Sequence, residues 1–227
     1  MSTLVVTGGS RGIGAAVCVA AAAQGWDVVV DYTLGAAAAE EVVERITSGG
    51  GHALAVQGDV RDADAVERLF AAADAWRGPV TGLVNNAGVS GGLSRVDEVT
   101  PEALRTSTLH GGSGGAIVNV SSRAAVLGGP GEYVHYAASK AALDALTVGL
   151  AREVATEGVR VNGVAVGLVD TDFHASAGEP GRPDRIRPTV PMQRSGAPEE
   201  IAAAIVWLLS DAASYTTGTV VAVSGGR

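Results

Sequence analysis

A glycine-rich turn near the start of the chain constrains the fold more than any other feature of the sequence. The apolar run Leu4 to Val6 leads into Thr7-Gly8-Gly9-Ser10-Arg11-Gly12-Ile13-Gly14, and an alanine-rich stretch follows up to Gly25. A short apolar run that stops at glycine predicts a buried strand, and we expect a helix to open at Gly14. Backbone N–H groups at such a helix start can hold a pyrophosphate, although the pattern also suits an ordinary strand-to-helix turn.

The alternation of apolar runs and helical stretches continues along the whole chain. Further strands are predicted at 28–30, 53–56, 82–84, 116–120, 159–166 and 219–223, with helices at 37–46, 63–76, 136–156 and 198–209. Strands that alternate with helices indicate crossover connections and a parallel sheet. We therefore predict one α/β domain over residues 1–227, with a Rossmann-type doubly wound parallel sheet. A chain of 227 residues with 47% hydrophobic side chains suits a single large core.

The charge balance and the cysteine count exclude several classes of protein. A net charge of −8 argues against a nucleic-acid partner, since phosphate binding needs a clustered basic surface. The sequence contains no uninterrupted apolar segment of about 18 residues, so it predicts no membrane span. Residues 1–30 do not have the pattern of a secretory signal. Cys18 is the only cysteine, so no internal disulfide or cysteine-rich metal site can form, and we predict no metal ligands. We expect a cytoplasmic protein that acts on a small molecule.

Polar and small residues follow the third and fourth predicted strands, at the edge where ligands bind in open α/β sheets. Gly58-Asp59-Val60 comes after the third strand, and Asn85-Asn86-Ala87-Gly88 comes after the fourth. Asp59 is placed to accept a hydrogen bond from an adenine amino group, although an aspartate here also suits a helix N-cap. The small residues Ala87 and Gly88 let a ligand approach the backbone.

Tyr136 and Lys140 form the candidate chemical centre. They lie four residues apart on one face of a predicted helix, so both can point into one cleft. A nearby ammonium stabilises a phenolate, so Lys140 is expected to lower the pKa of Tyr136 from about 10 toward neutrality. Ser122 follows the fifth strand and is placed to hydrogen-bond a substrate oxygen. A tyrosine and a lysine at this spacing also occur as a plain surface pair, and Tyr133 is a weaker competitor because no lysine follows it at that spacing.

These motifs together resemble the signatures of the short-chain dehydrogenase/reductase family over nearly the whole chain. The resemblance, to members such as glucose 1-dehydrogenases and 3-oxoacyl reductases, implies a nicotinamide cofactor, an alcohol or carbonyl substrate and a homo-oligomer, dimer or tetramer. It implies that Tyr136 is the acid/base, that Ser122 polarises the substrate oxygen and that Lys140 also holds the ribose. The residues implied to bind the cofactor are Gly8, Ser10, Arg11, Gly12, Ile13, Gly14, Asp31, Asp59, Val60, Asn85, Ala87, Gly88, Tyr136, Lys140, Gly167 and Thr171.

The sequence gives two opposing signals on the phosphorylation of the cofactor. Arg11 suits a 2′-phosphate, as in similar family members that use NADPH. Asp31, at the end of the second strand, suits a free 2′-hydroxyl and repels phosphate. The balance favours NADP(H) over NAD(H) by a small margin, and the neighbouring Tyr32 and Thr33 do not decide it.

The chain departs from the family pattern between residues 88 and 116. The family has a long helix there, with an asparagine that completes a proton relay, but this stretch contains no asparagine. A shorter helix from Thr100 to Gly111 fits, and roughly twenty residues are missing by comparison, near 105–107. We therefore expect a shortened crossover between the fourth and fifth strands, still long enough to close a parallel sheet.

Residues 168–194 are rich in glycine and proline, which is typical of a mobile lid that selects the substrate but also suits a plain surface loop. Val166 stands before Gly167 where the family has proline, and this makes the loop less rigid. The missing asparagine raises an alternative function, a non-catalytic or impaired dinucleotide-binding protein. A nucleotide hydrolase is poorly supported, because no Gly-Lys-Ser/Thr follows the glycine turn.

The missing segment has two explanations, a genuine deletion in the protein or a segment omitted from this sequence, and an intact mass separates them. A genuine deletion gives a mass of 22.6 kDa for the protein isolated from its natural source. A mass larger by that of roughly twenty residues, one full helix, would mean that the natural protein carries the segment.

Overall fold

Seven parallel strands form one sheet in the computed structural model, which describes residues 2–88 and 114–227. The strands are β1 (Ser2–Val6), β2 (Trp26–Tyr32), β3 (His52–Gln57), β4 (Val80–Asn85), β5 (Gly115–Ser122), β6 (Val159–Val166) and β7 (Val220–Val223). Their order across the sheet is β3-β2-β1-β4-β5-β6-β7, and every neighbouring pair is parallel. The strand order reverses between β1 and β4, which confirms the predicted doubly wound sheet.

Helices flank this sheet on both faces. Among the described residues they are α1 (Gly12–Ala22), α2 (Ala36–Ser48), α3 (Ala63–Arg77), α4 (Ala124–Leu127), α5 (Val134–Val154), α6 (Phe173–Ser176), α7 (Arg182–Ile186) and α8 (Pro198–Leu209). The N-cap of α3 is Asp62, whose side chain accepts a hydrogen bond from the Asp64 N–H. The N-cap alternative for Asp59 is therefore wrong. No helix in the described part of the chain is long and apolar enough to cross a membrane.

Alternate residues of the central strands belong to two different cores. Leu4 and Val6 of β1 are fully buried in the larger core with α1 and α8, whereas Val5 is fully buried in a second core with Leu69 of α3. Side chains alternate across a strand, so burial on both faces requires the continuous apolar runs that the sequence shows. Because helices cover both faces of the sheet, a ligand can reach it at the carboxyl ends of the strands, which is where ligands bind in sheets of this kind.

The bounds of most elements differ from the sequence prediction by one to two residues, and one segment differs in kind. The first helix begins at Gly12 rather than Gly14, and α5 covers 134–154 rather than 136–156. The predicted irregular segment 167–198 contains α6 and α7, which are too short to show a helical period in the sequence. The predicted shorter helix before Gly111, the missing asparagine and the shortened crossover lie outside the described residues.

Candidate active site

The side chain of Asn86 ties the turn after β4 to the turn after β1. Its Nδ2 donates hydrogen bonds to the backbone oxygens of Thr7 at 2.9 Å and Gly8 at 3.0 Å. In return, the Thr7 hydroxyl oxygen accepts from the backbone N–H groups of Asn86 and Ala87, both at 3.0 Å. These bonds hold two strand ends together at the topological switch point, where dinucleotides bind in such sheets. Sequence reasoning placed Asn86 within a motif but gave it no role.

The glycines of the first turn approach their neighbours too closely for a side chain. A Cβ on Gly14 would lie 2.3 Å from the Gly8 oxygen, and a Cβ on Gly8, whose φ is +62°, would lie 3.1 Å from Ala87 Cα. Gly12 also has a positive φ, and a Cβ there would lie 3.4 Å from the methyl carbon of Thr171. The turn is thus a tight backbone cradle at the start of α1, which is the shape that a pyrophosphate needs.

Arg11, Ser10 and Ile13 complete the same turn in three different environments. Ser10 is buried, and Ile13 is half-buried against the larger core. Arg11 is the exposed N-cap residue of α1. It lines a depression of about 290 Å³ between α1, α2 and α8, in which Arg45 supplies a second guanidinium.

Asp31, at the end of β2, is buried beneath the glycine turn. Its Oδ2 accepts a hydrogen bond from the Gly8 N–H at 3.2 Å, and its backbone oxygen accepts from the Gly9 N–H at 2.7 Å. The residue is 1% exposed, and Oδ1 has no hydrogen-bond partner within the described residues. Burial raises the pKa of Asp31 to about 6, although the Gly8 hydrogen bond acts in the opposite direction. The carboxylate therefore holds the turn, and its contact with a ribose stays a prediction.

The ends of β3 and β4 place two further predicted residues at this edge. The Asp59 carboxylate accepts hydrogen bonds from the side chain and the backbone N–H of Arg61, which lowers the pKa of Asp59 to about 2. Asp59 is thus an ionised acceptor at neutral pH, with half-buried Val60 beside it. The Asn85 Nδ2 donates to Asn119 Oδ1 at 2.9 Å, so this amide is engaged inside the sheet.

Tyr136, Ser122 and Lys140 come together where β5 meets α5. The Tyr136 hydroxyl is hydrogen-bonded to Ser122. Lys140 Nζ lies 5.7 Å from the centre of the Tyr136 ring and donates to the Val120 oxygen at 2.7 Å. A Cβ on Gly88 would lie 3.8 Å from the same Nζ, so the turn after β4 also reaches this centre. The three predicted catalytic side chains are therefore neighbours, next to the predicted cofactor edge.

Burial shifts the pKa values of both ionisable groups at this centre. It raises the pKa of Tyr136 above its ordinary value, while the Ser122 hydrogen bond and the charge of Arg182 act in the opposite direction. It lowers the pKa of Lys140 to about 8. The lowering of the tyrosine pKa expected from Lys140 is thus wrong in its net direction, because desolvation of the phenol outweighs the attractive charges. At neutral pH, Tyr136 is protonated and most of Lys140 is charged.

Gly167 and Thr171 follow β6 and have separate surroundings. A Cβ on Gly167 would lie 2.6 Å from Ser224 Cα, and the Gly167 N–H donates to the Val223 oxygen at 3.0 Å. Close packing against the end of β7 therefore already requires a glycine at this position. Thr171 reaches Gly12 across the mouth of the glycine turn. The contacts of both residues with a cofactor stay predictions.

An aromatic wall that sequence reasoning missed stands beside Tyr136. The ring centres of Tyr133 and Phe173 lie 6.0 Å and 5.8 Å from that of Tyr136, and His174 follows 5.4 Å beyond Phe173. Phe173 belongs to α6, within the segment predicted to be a lid. The sequence does single out this residue, because Phe173 is the only phenylalanine, tyrosine or tryptophan in residues 167–198.

Two family models match the chain, and together they cover nearly all of it. The family described as short chain dehydrogenase matches residues 2–109, and the one described as Enoyl-(Acyl carrier protein) reductase matches residues 102–227. The chain belongs to the short-chain dehydrogenase/reductase family. This confirms the resemblance inferred from the motifs. The chain is an oxidoreductase of a family that binds a nicotinamide dinucleotide and acts on small molecules.

Individual relatives and a solved structure agree with this family. The chain is 47% identical to the uncharacterized oxidoreductase YgfF of Escherichia coli K12, with 100% of both chains covered. It is 38% identical to a 3-oxoacyl-[acyl-carrier-protein] reductase of Synechocystis sp., covering 98% of this chain and 95% of that one. Its fold is similar to that of a blue fluorescent protein from a metagenomic library in complex with NADPH, with a TM-score of 0.87, 32% identity and coverage of 99% and 97%.

The alignment with the Escherichia coli oxidoreductase shows a difference in length. It extends over 247 positions and includes all 227 residues of this chain, so at least 20 of its positions have no counterpart here. The two family matches meet at residues 102–109, the stretch where the sequence predicts missing residues. The difference in length agrees with the roughly twenty residues that the sequence predicts to be missing.

Replacement of the buried Asp31 carboxylate by an amide tests its place beneath the glycine turn. Its pKa is about 6 in the folded chain against an ordinary value of 3.8, so the folded state holds the proton more tightly than the unfolded state does. Stability contributed at this position is therefore present at low pH and is lost as pH rises through 6, by up to about 3 kcal/mol. We expect Asp31→Asn to be more stable than the wild type at pH 7.5, with a smaller gain at pH 4.

The measurement is the free energy of unfolding in urea at a series of pH values for both proteins. Glu40→Gln, at an exposed position of α2, makes the same change of charge and controls for net charge. A difference between wild type and Asp31→Asn that stays constant from pH 4 to pH 7.5 would contradict the predicted role of Asp31.

Proposed function

We propose that this chain catalyses hydride transfer between NADP(H) and a small alcohol or carbonyl compound, with Tyr136 as the acid/base. One observation carries the proposal: Ser122 lies close enough to the Tyr136 hydroxyl to lower its pKa, and Lys140 Nζ lies 5.7 Å from the centre of the Tyr136 ring, beside the turn after β4. A surface pair of tyrosine and lysine would be exposed to solvent, whereas this pair is partly buried and shifted in pKa. Perturbed groups that converge on a ligand-binding edge are typical of a catalytic centre.

The residues at the glycine turn fit a nicotinamide dinucleotide. Gly8, Gly12 and Gly14 leave the cradle open for a pyrophosphate, and the ionised Asp59 can accept from an adenine amino group. Lys140 is placed to donate to ribose hydroxyls as well as to support Tyr136. The bound cofactor would supply or accept the hydride at the substrate carbon.

The side chains of this centre move and hold the proton. Ser122 donates a hydrogen bond to the substrate oxygen and orients it toward the Tyr136 hydroxyl. In reduction, Tyr136 gives its proton to the carbonyl oxygen as the alcohol forms; in oxidation, it takes the proton of the alcohol. A tyrosine whose pKa is raised stays protonated at neutral pH, which is the state that reduction needs.

The preference for NADP(H) rests on the opposite environments of Arg11 and Asp31. Asp31 lies beneath the turn and accepts from the Gly8 N–H, so its charge is withdrawn from the surface where it would repel a phosphate. Arg11 is exposed at a depression that Arg45, Glu41 and Glu199 also line, so the support for a 2′-phosphate contact comes from Arg11 itself. The similar blue fluorescent protein was solved in complex with NADPH.

A second candidate function, a non-catalytic or impaired dinucleotide-binding protein, is favoured by one observation. At least 20 positions of the Escherichia coli relative have no counterpart here, and no asparagine occurs between residues 88 and 116. Loss of a relay residue would slow proton exchange with solvent while leaving cofactor binding in place. Cofactor binding without turnover across a panel of carbonyl and alcohol compounds would support this candidate.

Three broader properties belong to the same proposal. Residues 1–227 form one domain, since a single sheet runs through the described residues. The protein assembles as a homodimer or homotetramer, for which the exposed apolar residues Val134 and Leu146 of α5 provide a surface. Its single buried cysteine, Cys18, suits the reducing cytoplasm.

Tyr136→Phe tests the acid/base. We expect turnover to fall by roughly 10² to 10⁴-fold, the usual contribution of general acid–base catalysis, because the hydroxyl proton is removed and the ring is kept. Affinity for NADPH, measured by the fluorescence of the reduced nicotinamide, should change by no more than a few-fold. Tyr215→Phe, at a fully exposed tyrosine, makes the same chemical change and should leave turnover unaltered. Unchanged turnover in Tyr136→Phe would refute the assignment.

Arg11→Ala tests the choice of cofactor. Removal of a charge-assisted contact with the 2′-phosphate should weaken the binding of NADPH by roughly tenfold and leave the binding of NADH nearly unchanged. Dissociation constants for both nucleotides give the answer directly. Arg152→Ala, at an exposed position in the last turn of α5, is the matched control. Equal losses for the two nucleotides would argue against a 2′-phosphate contact at Arg11.

A further inference from the structure

The segment that contains α6 and α7 is held against the start of α5 by four charged residues. We name Glu132, Glu179, Arg182 and Arg185 the arginine clamp. Glu132 Oε2 accepts from Arg182 Nε at 3.0 Å, and Glu132 Oε1 pairs with Arg185 Nη1 at 2.7 Å. Arg185 also pairs with Glu179. One carboxylate next to the catalytic helix thus receives two guanidinium groups from a segment fifty residues away.

The two arginines of the clamp differ in what else they touch. The Arg182 side chain is 12% exposed, whereas that of Arg185 is 51% exposed. The guanidinium carbon of Arg182 lies 4.6 Å from the centre of the Tyr133 ring, which is within the range of a cation–π contact. Tyr133 in turn packs against Tyr136 with an angle of 64° between the rings. Arg182, Tyr133 and Tyr136 therefore form a continuous stack that ends at the proposed acid/base.

Phe173 gives the Tyr136 ring a second aromatic neighbour. It lies in α6, and its ring meets that of Tyr136 at 5.8 Å. The segment that carries Arg182 thus contacts Tyr136 both directly through Phe173 and indirectly through Tyr133. Release of the clamp would free both supports of the Tyr136 ring together.

We propose that Arg182 is a positioning residue for the reaction: by pairing with Glu132 and stacking on Tyr133, it fixes the ring of Tyr136 against Ser122. The inference rests on the proposed function, in which Tyr136 is the acid/base. The role needs the planar face of a guanidinium as well as its charge, because lysine offers a point charge without a face to stack. It also makes the segment 172–186 part of the catalytic support and more than a cover for the substrate.

The electrostatic surroundings of Tyr136 give the proposal a second readout. Ser122 from β5, Lys140 from α5 and Tyr133 directly before α5 face this ring. Arg182 and His174 approach from the segment with α6 and α7. Glu132, Glu179 and Arg185 surround Tyr133 and balance part of the charge of Arg182. The charge of Arg182 lowers the pKa of Tyr136 against the effect of burial. Its removal should therefore move the ionisation of Tyr136 to higher pH.

The kinetic test compares Arg182→Met with Arg187→Met. Both remove an arginine at α7, but Arg187 lies directly after that helix and pairs with Asp184 within it. We expect Arg182→Met to lower kcat for alcohol oxidation by roughly tenfold, because the reacting groups are misplaced. The rising limb of its pH profile should move up by about half a unit or more. The Arg187 variant should match the wild type. Equal behaviour of the two variants would overturn the proposal.

Arg182→Lys separates the stack from the charge and covers the case in which the methionine variant folds poorly. We expect the lysine variant to restore the position of the pH limb while kcat stays several-fold below that of the wild type. Full recovery of kcat by lysine would overturn the stacking role.

A titration without substrate keeps this inference distinguishable from the proposed function. The chain has four tyrosines, so the tyrosinate absorbance of each protein minus that of its Tyr136→Phe counterpart reports Tyr136 alone. We expect the pKa read from this difference to be higher in Arg182→Met than in the wild type and in Arg187→Met. If the wild type shows no turnover, the proposed function fails, and the titration still decides whether Arg182 acts on Tyr136. An unchanged difference would overturn the inference.

Discussion

The bond between Asn86 and the backbone of the glycine turn is the interaction on which the rest of the site depends. The carbonyls of Thr7 and Gly8 point away from the sheet ladder, and one side-chain amide satisfies both of them. A buried backbone group without a partner would be costly, so the amide fixes the shape of the turn. The same contact joins the turns that follow β1 and β4, where the strand order reverses.

Burial gives the ionisable groups of this site their chemical character. Asp31, Tyr136 and Lys140 are all shifted toward their neutral forms by loss of contact with water. For Asp31, this loss is balanced against a structural task, because its carboxylate accepts the N–H of Gly8. For Tyr136 and Lys140, it produces a protonated phenol beside an ammonium whose pKa is near 8. The combination favours proton donation at neutral pH and proton removal at higher pH.

The segment after β6 contacts both the glycine turn and the surroundings of Tyr136. Thr171 reaches the glycine turn, Phe173 packs on Tyr136, and Arg182 binds Glu132, two residues before α5. A change of residue in this short stretch can therefore disturb the glycine turn and the surroundings of Tyr136 together.

Sequence alone determined the parallel sheet and its three functional turns. Strands buried on both faces must be apolar throughout, so they appear in the sequence as continuous apolar runs. The first turn needs glycine at position 14, next to Gly8, and at position 8, next to Ala87, so it appears as a glycine-rich motif. Helix spacing also placed Tyr136 and Lys140 on one face, whereas the grouping of Ser122 with them came from the resemblance to the family. Only the tertiary structure showed that the Asp31 side chain lies beneath the glycine turn and accepts from the Gly8 N–H, where the sequence suggested a contact with the ribose. Only the tertiary structure showed that Glu132 pairs with Arg182. Ordinary charges carry no periodicity, and their partners depend on how a segment fifty residues away folds back.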